Sequence, residues 1–338
     1  METETVDALE RRWQAFRDRF ARARAEIGKA IFGYDDLVTE ILVAVYSQGH
    51  VLLEGVPGLG KTSLVKALGR VLDLSFGRVQ CTPDLMPADI LGTHIVGEDG
   101  SGRRAMRFER GPVFKHLLLM DEINRATPKT QAALLEVMQE RCVTTGGERL
   151  ELPAPFFVLA TQNPIEMEGT YPLPEAQLDR FFFKLRVGFP TKETLLEISR
   201  RTTGFHEPEL SAVVTGAELL VDQESLTRVP VAEPIADFAA SLVLASHPGG
   251  AKPLERVRRY VAYGASPRGL QALIRAARAW CLLAGRTAVS LDDVRQAARP
   301  AFRHRIMLNF EGEAEALDID RLIDEIVQSV PGPAGGTA

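Results

Sequence analysis

The feature that most constrains the fold of this 338-residue chain is a glycine-rich segment of the form G-x-x-x-x-G-K-T at residues 55–62. An apolar run at residues 51–53 precedes it and predicts a buried strand over 50–54. Apolar residues spaced by three or four over 61–72 predict a helix. Glycines allow the tight turn that points successive backbone N–H groups at one place, where the helix N-terminus adds partial positive charge. We therefore expect a strand–loop–helix unit that binds phosphate.

The residue types in this loop predict a part in nucleotide binding for each position. We expect Lys61 to reach the β- and γ-phosphates of ATP and the Thr62 hydroxyl to be a ligand of Mg²⁺. A glycine-rich turn that binds nothing is the alternative, but strand, loop, Lys-Thr pair and helix follow in the required order. The residues predicted to bind the nucleotide here are Gly55, Val56, Pro57, Gly58, Leu59, Gly60, Lys61, Thr62 and Ser63.

Apolar runs that alternate with helical patterns predict the α/β class. The candidate strands are residues 50–54, 77–81, 117–120, 156–161 and 182–187, and the candidate helices between them are 61–72, 128–140 and 174–181. Uniformly apolar strands joined by helices indicate a parallel five-stranded sheet covered on both faces. A charged, glycine-rich stretch at residues 89–111 interrupts this pattern and is interpreted as an inserted hairpin.

The chain is expected to divide into this core and a smaller helical domain. Two amphipathic helices, over about residues 6–31 and 36–46, precede the first strand. The predicted divisions are 1–203 for the N-terminal helix and nucleotide-binding core, 204–233 for a mixed, loop-rich linker, 234–330 for an all-helical lid domain, and 331–338 for a disordered tail. Within the lid, Ser266 and Pro267 are expected to begin a helix that Gly285 ends.

Two carboxylates, Asp121 and Glu122, follow the third apolar run directly. In open α/β sheets ligands bind at the carboxyl ends of the strands, so this pair is expected to face the nucleotide. Asp121 suits Mg²⁺, which prefers hard oxygen ligands and keeps part of its water shell. Glu122 suits polarising the attacking water, and its presence favours hydrolysis over binding alone. A solvated strand end is the alternative for an isolated pair of this kind.

Three further polar residues are candidates that sequence physics leaves open. Asn163 ends the strand at 156–161 and could contact the γ-phosphate or simply form a turn before proline. Arg268 falls in the first turn of the helix after Ser266, where a cation opposes the helix dipole unless an anion lies between them. Arg180 lies near the end of a short helix, where the dipole favours a cation in any case. The weaker candidates, read as surface or inter-domain charges, are Arg125, Arg141, Arg303 and Arg305.

Composition argues against several other classes. The formal charge of −5 gives no overall positive field toward nucleic acid, so a nucleic-acid partner is not expected. Three scattered cysteines lack metal-ligand spacing and indicate neither a zinc site nor a disulfide framework. No apolar run is long enough to span a bilayer, so membrane insertion is not expected. The first residues lack the apolar run of a secretory signal, and we therefore expect a cytoplasmic location.

Longer motifs resemble those of the MoxR family of AAA+ ATPases, over nearly the whole chain from about residue 31 to 330. The motifs are TPDLMPADILG at 82–92, LLMDEINRA at 118–126, PKTQAALLE at 128–136, ATQNP at 160–164, GTYPLPEAQLDR at 169–180, GASPRG at 264–269 and RHR at 303–305. The chain departs from the family pattern in small ways, at Met120 and at Gln80-Cys81.

The resemblance implies roles for the open candidates. Asn163 becomes the sensor of the γ-phosphate, Arg268 a second sensor contributed by the lid, and Arg180 the finger inserted into the neighbouring subunit's site. Phe32 and Gly33 match the segment that lies near the adenine. The hairpin at 89–111 matches an insertion of this clade that faces the pore.

The resemblance also implies a function and partners. It implies a homo-oligomeric, hexameric ring that binds ATP and Mg²⁺. It also implies that this ring remodels or activates partner proteins, typically ones with a von Willebrand factor A domain. The alternatives are a motor of the same clade that acts on DNA or in metal chelation, and a scaffold that binds ATP without turnover. The acidic net charge disfavours the DNA motor, and Glu122 disfavours the scaffold.

Overall fold

The computed structural model describes residues 6–56, 58–98, 104–164, 169–202, 208–250 and 253–332. The helices are α1 Val6–Ile27, α2 Asp35–Tyr46, α3 Lys61–Val71, α4 Pro87–Leu91, α5 Pro128–Glu140, α6 Glu175–Leu178, α7 Lys192–Thr202, α8 Gly216–Thr227, α9 Glu233–Ala245, α10 Glu255–Tyr260, α11 Pro267–Leu283, α12 Leu291–Phe302, α13 Phe310–Ala314 and α14 Ile319–Ser329. The strands are β1 Val51–Glu54, β2 Phe76–Gln80, β3 Gly92–Glu98, β4 Arg104–Arg110, β5 Leu117–Asp121, β6 Cys142–Thr145, β7 Glu148–Glu151, β8 Phe157–Gln162, β9 Phe183–Arg186, β10 Val261–Tyr263 and β11 Met307–Leu308. Within the described ranges, no helix is long and apolar enough to cross a membrane.

A parallel five-stranded sheet forms the centre of the core, in the order β2-β5-β8-β1-β9. The register pairs Gln80 with Asp121 and Glu54 with Gln162, so neighbouring strands end at nearly the same level. This architecture confirms the predicted α/β class with a parallel sheet. It also brings the residues that follow β1, β5 and β8 to one edge, as the strand-end motifs require.

Apolar side chains cover both faces of this sheet. Leu53 and Leu119 belong to a large cluster on one face, whereas Leu52 and Leu118 belong to a smaller cluster on the other. Successive side chains of a strand point to opposite faces, so a strand between two clusters must be apolar throughout. That is the physical reason for the uniformly apolar runs in the sequence.

Residues 204–233 contain a helix, and the prediction of a loop-rich linker there was wrong. Helix α8 begins with a capping box in which Thr215 and Glu218 bind each other's backbone N–H groups. Its buried face packs against α1, where Arg19 donates to the Asp222 carboxylate at 2.8 Å and Trp13 Nε1 donates to a carbonyl oxygen of α8. The mixed composition suggested a loop because it includes polar residues such as Asp222. In the structure Asp222 is buried in a helix, where Arg19 of α1 pairs with its charge.

Smaller elements also differ from the expectations. The helix expected over 174–181 is reduced to α6, because the carbonyl oxygens that follow it bind Arg305 from the C-terminal domain. That domain was expected to be all helical, but β10 and β11 pair in a short antiparallel sheet, which suits the β-branched and aromatic Val261 and Tyr263. A second hairpin, β6–β7, was not predicted. Most of the predicted disordered tail, residues 333–338, lies outside the described residues.

The inserted hairpin was predicted correctly. β3 and β4 pair antiparallel from Gly92 opposite Arg110 to Glu98 opposite Arg104. The tip, residues 99–103, lies outside the described residues. Val96 and Met106 lie opposite each other with 66% and 70% exposure, so the ribbon presents an uncovered apolar pair.

Candidate functional site

The glycine-rich loop occupies the turn between β1 and α3. Gly58 and Gly60 have φ angles of 83° and 75°, which glycine adopts without the clash of a Cβ. Lys61 begins α3 and donates from Nζ to the carbonyl oxygen of Gly55 at 2.5 Å. Burial lowers the pKa of Lys61, and the negative charges of Asp121 and Glu122 oppose that shift. The three charged groups are therefore close in space; Pro57 lies outside the described residues.

A cavity of about 380 Å³ adjoins this loop and extends over the first helices of the core. Its walls include Gly58, Leu59, Gly60, Lys61 and Ser63 at one end, and Ile31, Phe32, Tyr34, Val187, Phe189 and Leu195 at the other. Arg201 lies over the Phe32 ring at 4.1 Å from its centroid. A charged end and an apolar, aromatic end suit a triphosphate joined to a flat base. Gly33 lies between two wall residues and, with a φ of 73°, turns the chain there.

Asp121 is held by two donors at the end of β5. Thr161 Oγ1 donates to Oδ1 at 2.7 Å, and Arg78 Nη2 donates to Oδ2 at 2.8 Å. Thr161 comes from β8 and Arg78 from β2, the two strands on either side of β5. The carboxylate is thus fixed in direction by the sheet order.

Glu122 adopts an unusual backbone conformation, with a φ of 58° and a ψ of 52°. Its N–H donates to Thr161 Oγ1 at 2.8 Å, so one threonine orients both acidic residues. Its carboxylate accepts from Gln80 Nε2 at 3.1 Å and pairs with Arg125 Nε at 3.2 Å. A left-handed conformation in a residue other than glycine is held only where the surroundings enforce it. These contacts hold the Glu122 backbone in a turn directly after β5 and hold its carboxylate beside Gln80 and Arg125.

The groups of the chain at this point fit a magnesium ion. A carboxylate offers about four acceptor positions, so Asp121 can bind Thr161 and Arg78 and still face a hydrated cation. Thr62 follows Lys61 in the first turn of α3 and supplies a hydroxyl oxygen. Oxygen donors with room for water are the surroundings that Mg²⁺ prefers.

Asn163 follows β8 directly and is buried, with 5% exposure. It comes two residues after Thr161, the residue that orients both carboxylates. Its placement at the carboxyl edge of the sheet agrees with the position that was expected for it.

Arg180 and Arg268 lie together, in a different cavity from the glycine-rich loop. This cavity of about 200 Å³ is also lined by Asp179, Gln139 and Arg305, and none of the described loop residues lines it. Arg268 Nη1 lies 3.6 Å from Asp179 Oδ2, and Arg180 Nη1 donates to the carbonyl oxygen of Leu135 at 2.6 Å. The anion expected beside the first turn of α11 is, in this structure, the Asp179 carboxylate.

Comparisons with known proteins agree with this geometry. The profile of the ATPase family associated with various cellular activities (AAA) matches residues 50–183, and that of the AAA lid domain matches residues 254–326. Chaperone MoxR1 of Mycobacterium tuberculosis is 44% identical over 92% of this chain and 82% of its own length. This chain belongs to the MoxR family of AAA+ ATPases.

Other relatives of this MoxR-family chain extend over equally long regions. Protein MoxR of Paracoccus denitrificans is 32% identical over 95% of this chain and 98% of its own length. The crystal structure of a candidate ATPase from Cytophaga hutchinsonii has a TM-score of 0.89 and 37% identity, over 96% of this chain and 98% of that one. The whole chain is therefore of the family, with both its core and its lid.

Sequence reasoning missed several residues that shape the site of this MoxR-family chain. Arg78, Gln80 and Thr161 hold the acidic pair, but only the neighbouring positions of β2 and β8 beside β5 bring them there. One signal was available: Arg78 and Gln80 alternate on one strand and so share a face. The sequence does not show which strand lies beside β2, and so it does not show what these two side chains contact.

Proposed function

We propose that this chain hydrolyses ATP with Mg²⁺ and uses the reaction to remodel or activate partner proteins in a chaperone-like role. One observation carries the proposal. Lys61, Asp121 and Glu122 converge at the carboxyl edge of the sheet, beside a cavity with one charged and one aromatic end. Membership of the AAA+ family supports ATP as the nucleotide.

In the proposed mechanism the glycine-rich loop and Lys61 bind the phosphates, and Phe32 lies at the base. Thr62 and Asp121 would hold a magnesium ion, which neutralises charge on the β- and γ-phosphates when bound. Glu122 accepts a proton from the attacking water, for which it must exchange Gln80 and Arg125 for that water. Asn163 contacts the γ-phosphate from the end of β8.

The arginine pair supports a ring. Arg180 and Arg268 share a cavity that the described loop residues do not enter, so we propose that both act on the nucleotide of the neighbouring subunit. A hexamer is the proposed size, on the resemblance alone. A cation supplied by a partner stabilises charge on the transferring phosphoryl group and contributes about 10³- to 10⁵-fold in rate.

The test of hydrolysis is the substitution Glu122→Gln. It removes the base but leaves Lys61, Asp121 and the cavity, so we expect ATP to bind with unchanged affinity while steady-state hydrolysis falls by about 100-fold or more. Fluorescent ATP titration and phosphate release measure the two quantities. Glu148→Gln, on the exposed hairpin β6–β7, is the matched control and should behave as the unmodified protein. Unchanged hydrolysis by Glu122→Gln would overturn the assignment.

The partner class is proposed from the family. A relative of 44% identity bears the name chaperone, and the resemblance adds a von Willebrand factor A domain partner. The Glu122→Gln protein, loaded with ATP, should retain such a partner from lysate of the source organism, and the additional substitution Lys61→Ala should release it. Retention of nucleic acid instead would favour a DNA motor. A cytoplasmic location stays a prediction from the sequence.

A further inference from the structure

Arg305 is a buried cation at the junction of the lid and the core. Its side chain is 3% exposed, and its Nε donates to Asp179 Oδ1 at 2.8 Å. Its Nη2 donates to the carbonyl oxygens of Phe181 at 2.6 Å and Asp179 at 3.1 Å, and Nη1 to that of Phe182 at 3.1 Å. Burial lowers the pKa of Arg305 to about 10, so the guanidinium stays charged at neutral pH. Four of its hydrogen bonds thus go to residues 179–182, the segment that contains Arg180.

The Asp179 carboxylate connects this buried cation to the second arginine of the cavity. Oδ1 also accepts from Ser266 Oγ at 2.7 Å, the residue that caps α11, and Oδ2 faces Arg268 Nη1 at 3.6 Å. One carboxylate therefore ties the segment of Arg180 to the helix of Arg268. The segment of Arg180 and the helix of Arg268 thus both contact a carboxylate that is held by a third, buried arginine.

Neighbouring lid residues bind the adjoining part of the core, from Phe181 to Lys184. The ring of His304 contacts the carbonyl oxygen of Phe181 at 2.9 Å, and Arg303 Nη1 donates to that of Lys184 at 2.5 Å. These contacts attach the lid to the start of β9. Arg305 differs from them because a planar guanidinium can bind a carboxylate and several carbonyl oxygens at once, which an ammonium cannot.

We propose that Arg305 is a positioning residue: through Asp179 it sets Arg180 and Arg268 as one unit for the neighbouring subunit's nucleotide. The inference rests on the proposed function, in which those two arginines act across the subunit boundary. In this proposal Arg305 acts through Asp179 and not by direct contact with a nucleotide. Its effect is on the subunit that donates the arginines, and not on the site of the subunit that carries it.

Mixed rings test this directional effect. Arg180→Ala subunits keep an intact loop but donate no finger, and Lys61→Ala subunits donate a finger but have no working site. Each should be inactive alone, and together they should hydrolyse ATP because the second supplies Arg180 to the first. Arg305→Lys is then added to one population at a time; it keeps the buried charge but loses the guanidinium fork.

We expect hydrolysis by the mixture to fall by roughly 10-fold or more when Arg305→Lys is placed in the Lys61→Ala subunits, because displacements of about 1 Å at a reacting centre are this costly. The same change in the Arg180→Ala subunits should leave the mixture nearly as active. Asp179→Asn should give the same asymmetry. Arg299→Lys, a surface ion-pair residue on α12, should have no effect in either population.

Two outcomes would overturn the inference in distinguishable ways. An equal loss in both populations, or no loss in either, means that Arg305 is structural only, and thermal unfolding of each variant identifies a folding defect. Failure of the starting mixture to hydrolyse ATP, with mixed rings verified by mass, means that Arg180 does not act across the boundary. In that case the proposed ring mechanism fails first, and the role of Arg305 fails with it.

Discussion

His50 lies at the start of β1 with both ring nitrogens engaged. Its Nδ1 accepts from the N–H of Val158 at 3.0 Å, so Nε2 carries the proton and donates to the carbonyl oxygen of Met138 at 3.1 Å. The bond from Val158 needs the neutral ring, because a protonated Nδ1 cannot accept a hydrogen bond. Burial lowers the pKa of His50 to about 4. One side chain thus joins β1 to β8 and α5 at the amino end of β1, the end opposite the glycine-rich loop.

This histidine predicts a pH dependence of stability. Between pH 6.5 and about 4, the unfolded chain binds a proton at His50 that the folded chain does not, so the free energy of unfolding falls as pH falls through that window. At pH 5 the lowered pKa of His50 reduces the free energy of unfolding by about 2 kcal/mol. Urea unfolding at pH 7 and pH 5 should show a smaller loss for His50→Gln than for the unmodified protein.

His94→Gln, on the exposed hairpin, is the control and should keep the full dependence. His304 is also buried with a lowered pKa and contributes in the same direction, so the informative quantity is the difference between variants. Identical pH dependence in His50→Gln and the unmodified protein would contradict the assignment of the neutral ring.

At the scale of elements, α1 is part of the core and not an appendage. Phe16 is fully buried and meets the Tyr46 ring edge-on at a centroid distance of 5.1 Å, and Phe20 packs on the same ring. The helix also contacts α8 through Arg19 and Asp222. Helices α1 and α2 therefore pack together with α8, which is far from them in the chain, on one side of the larger apolar cluster of the core.

Phe16→Ala should lower the free energy of unfolding by about 3–5 kcal/mol, because it removes a buried aromatic side chain and leaves a cavity beside Tyr46. Asp18→Ala, on the exposed side of the same helix, should change it by less than about 0.5 kcal/mol. Urea unfolding measures both. A loss below about 1 kcal/mol for Phe16→Ala would mean that α1 unfolds apart from the core.

Local patterns predicted the elements well where the signal lay within one segment. α5 has the predicted bounds, residues 128 and 140, and β1, β5 and β8 differ by about one residue from the predicted strands. Lys61, Asp121 and Glu122 could be found because each lies in a local motif at the end of an apolar strand, Lys61 after β1 and the two carboxylates at the end of β5. The partners of Asp222 and Arg305 could not be predicted, since they come from distant segments that no local pattern identifies.

At the scale of the whole molecule, the cavity beside the glycine-rich loop and the cavity that holds Arg180 and Arg268 share no lining residue. A subunit in isolation therefore lacks part of the proposed site. We expect ATP hydrolysis per subunit to rise with protein concentration and then level off as rings form. Sedimentation measured in parallel should place the rise at the same concentration as assembly.

Arg180→Ala should assemble normally and bind ATP, yet remain near the activity of the free subunit at every concentration, a loss of about 10³-fold or more. Arg228→Ala, a change at an exposed residue directly after α8, is the control. Near-full hydrolysis by a strictly monomeric preparation would contradict the need for a neighbour.

The ribbon of β3 and β4 has a further consequence, which concerns solubility. A two-stranded ribbon leaves the outer hydrogen-bonding groups of both strands open, and open strand edges invite another chain to pair with them. Here Val96 and Met106 add an apolar face, but Arg104, Arg107 and Arg110 line one strand at close intervals. Charged side chains beside an edge make the approach of a further strand costly. We therefore expect the arginines to disfavour pairing of the ribbon with a strand of another subunit, although its apolar pair is exposed.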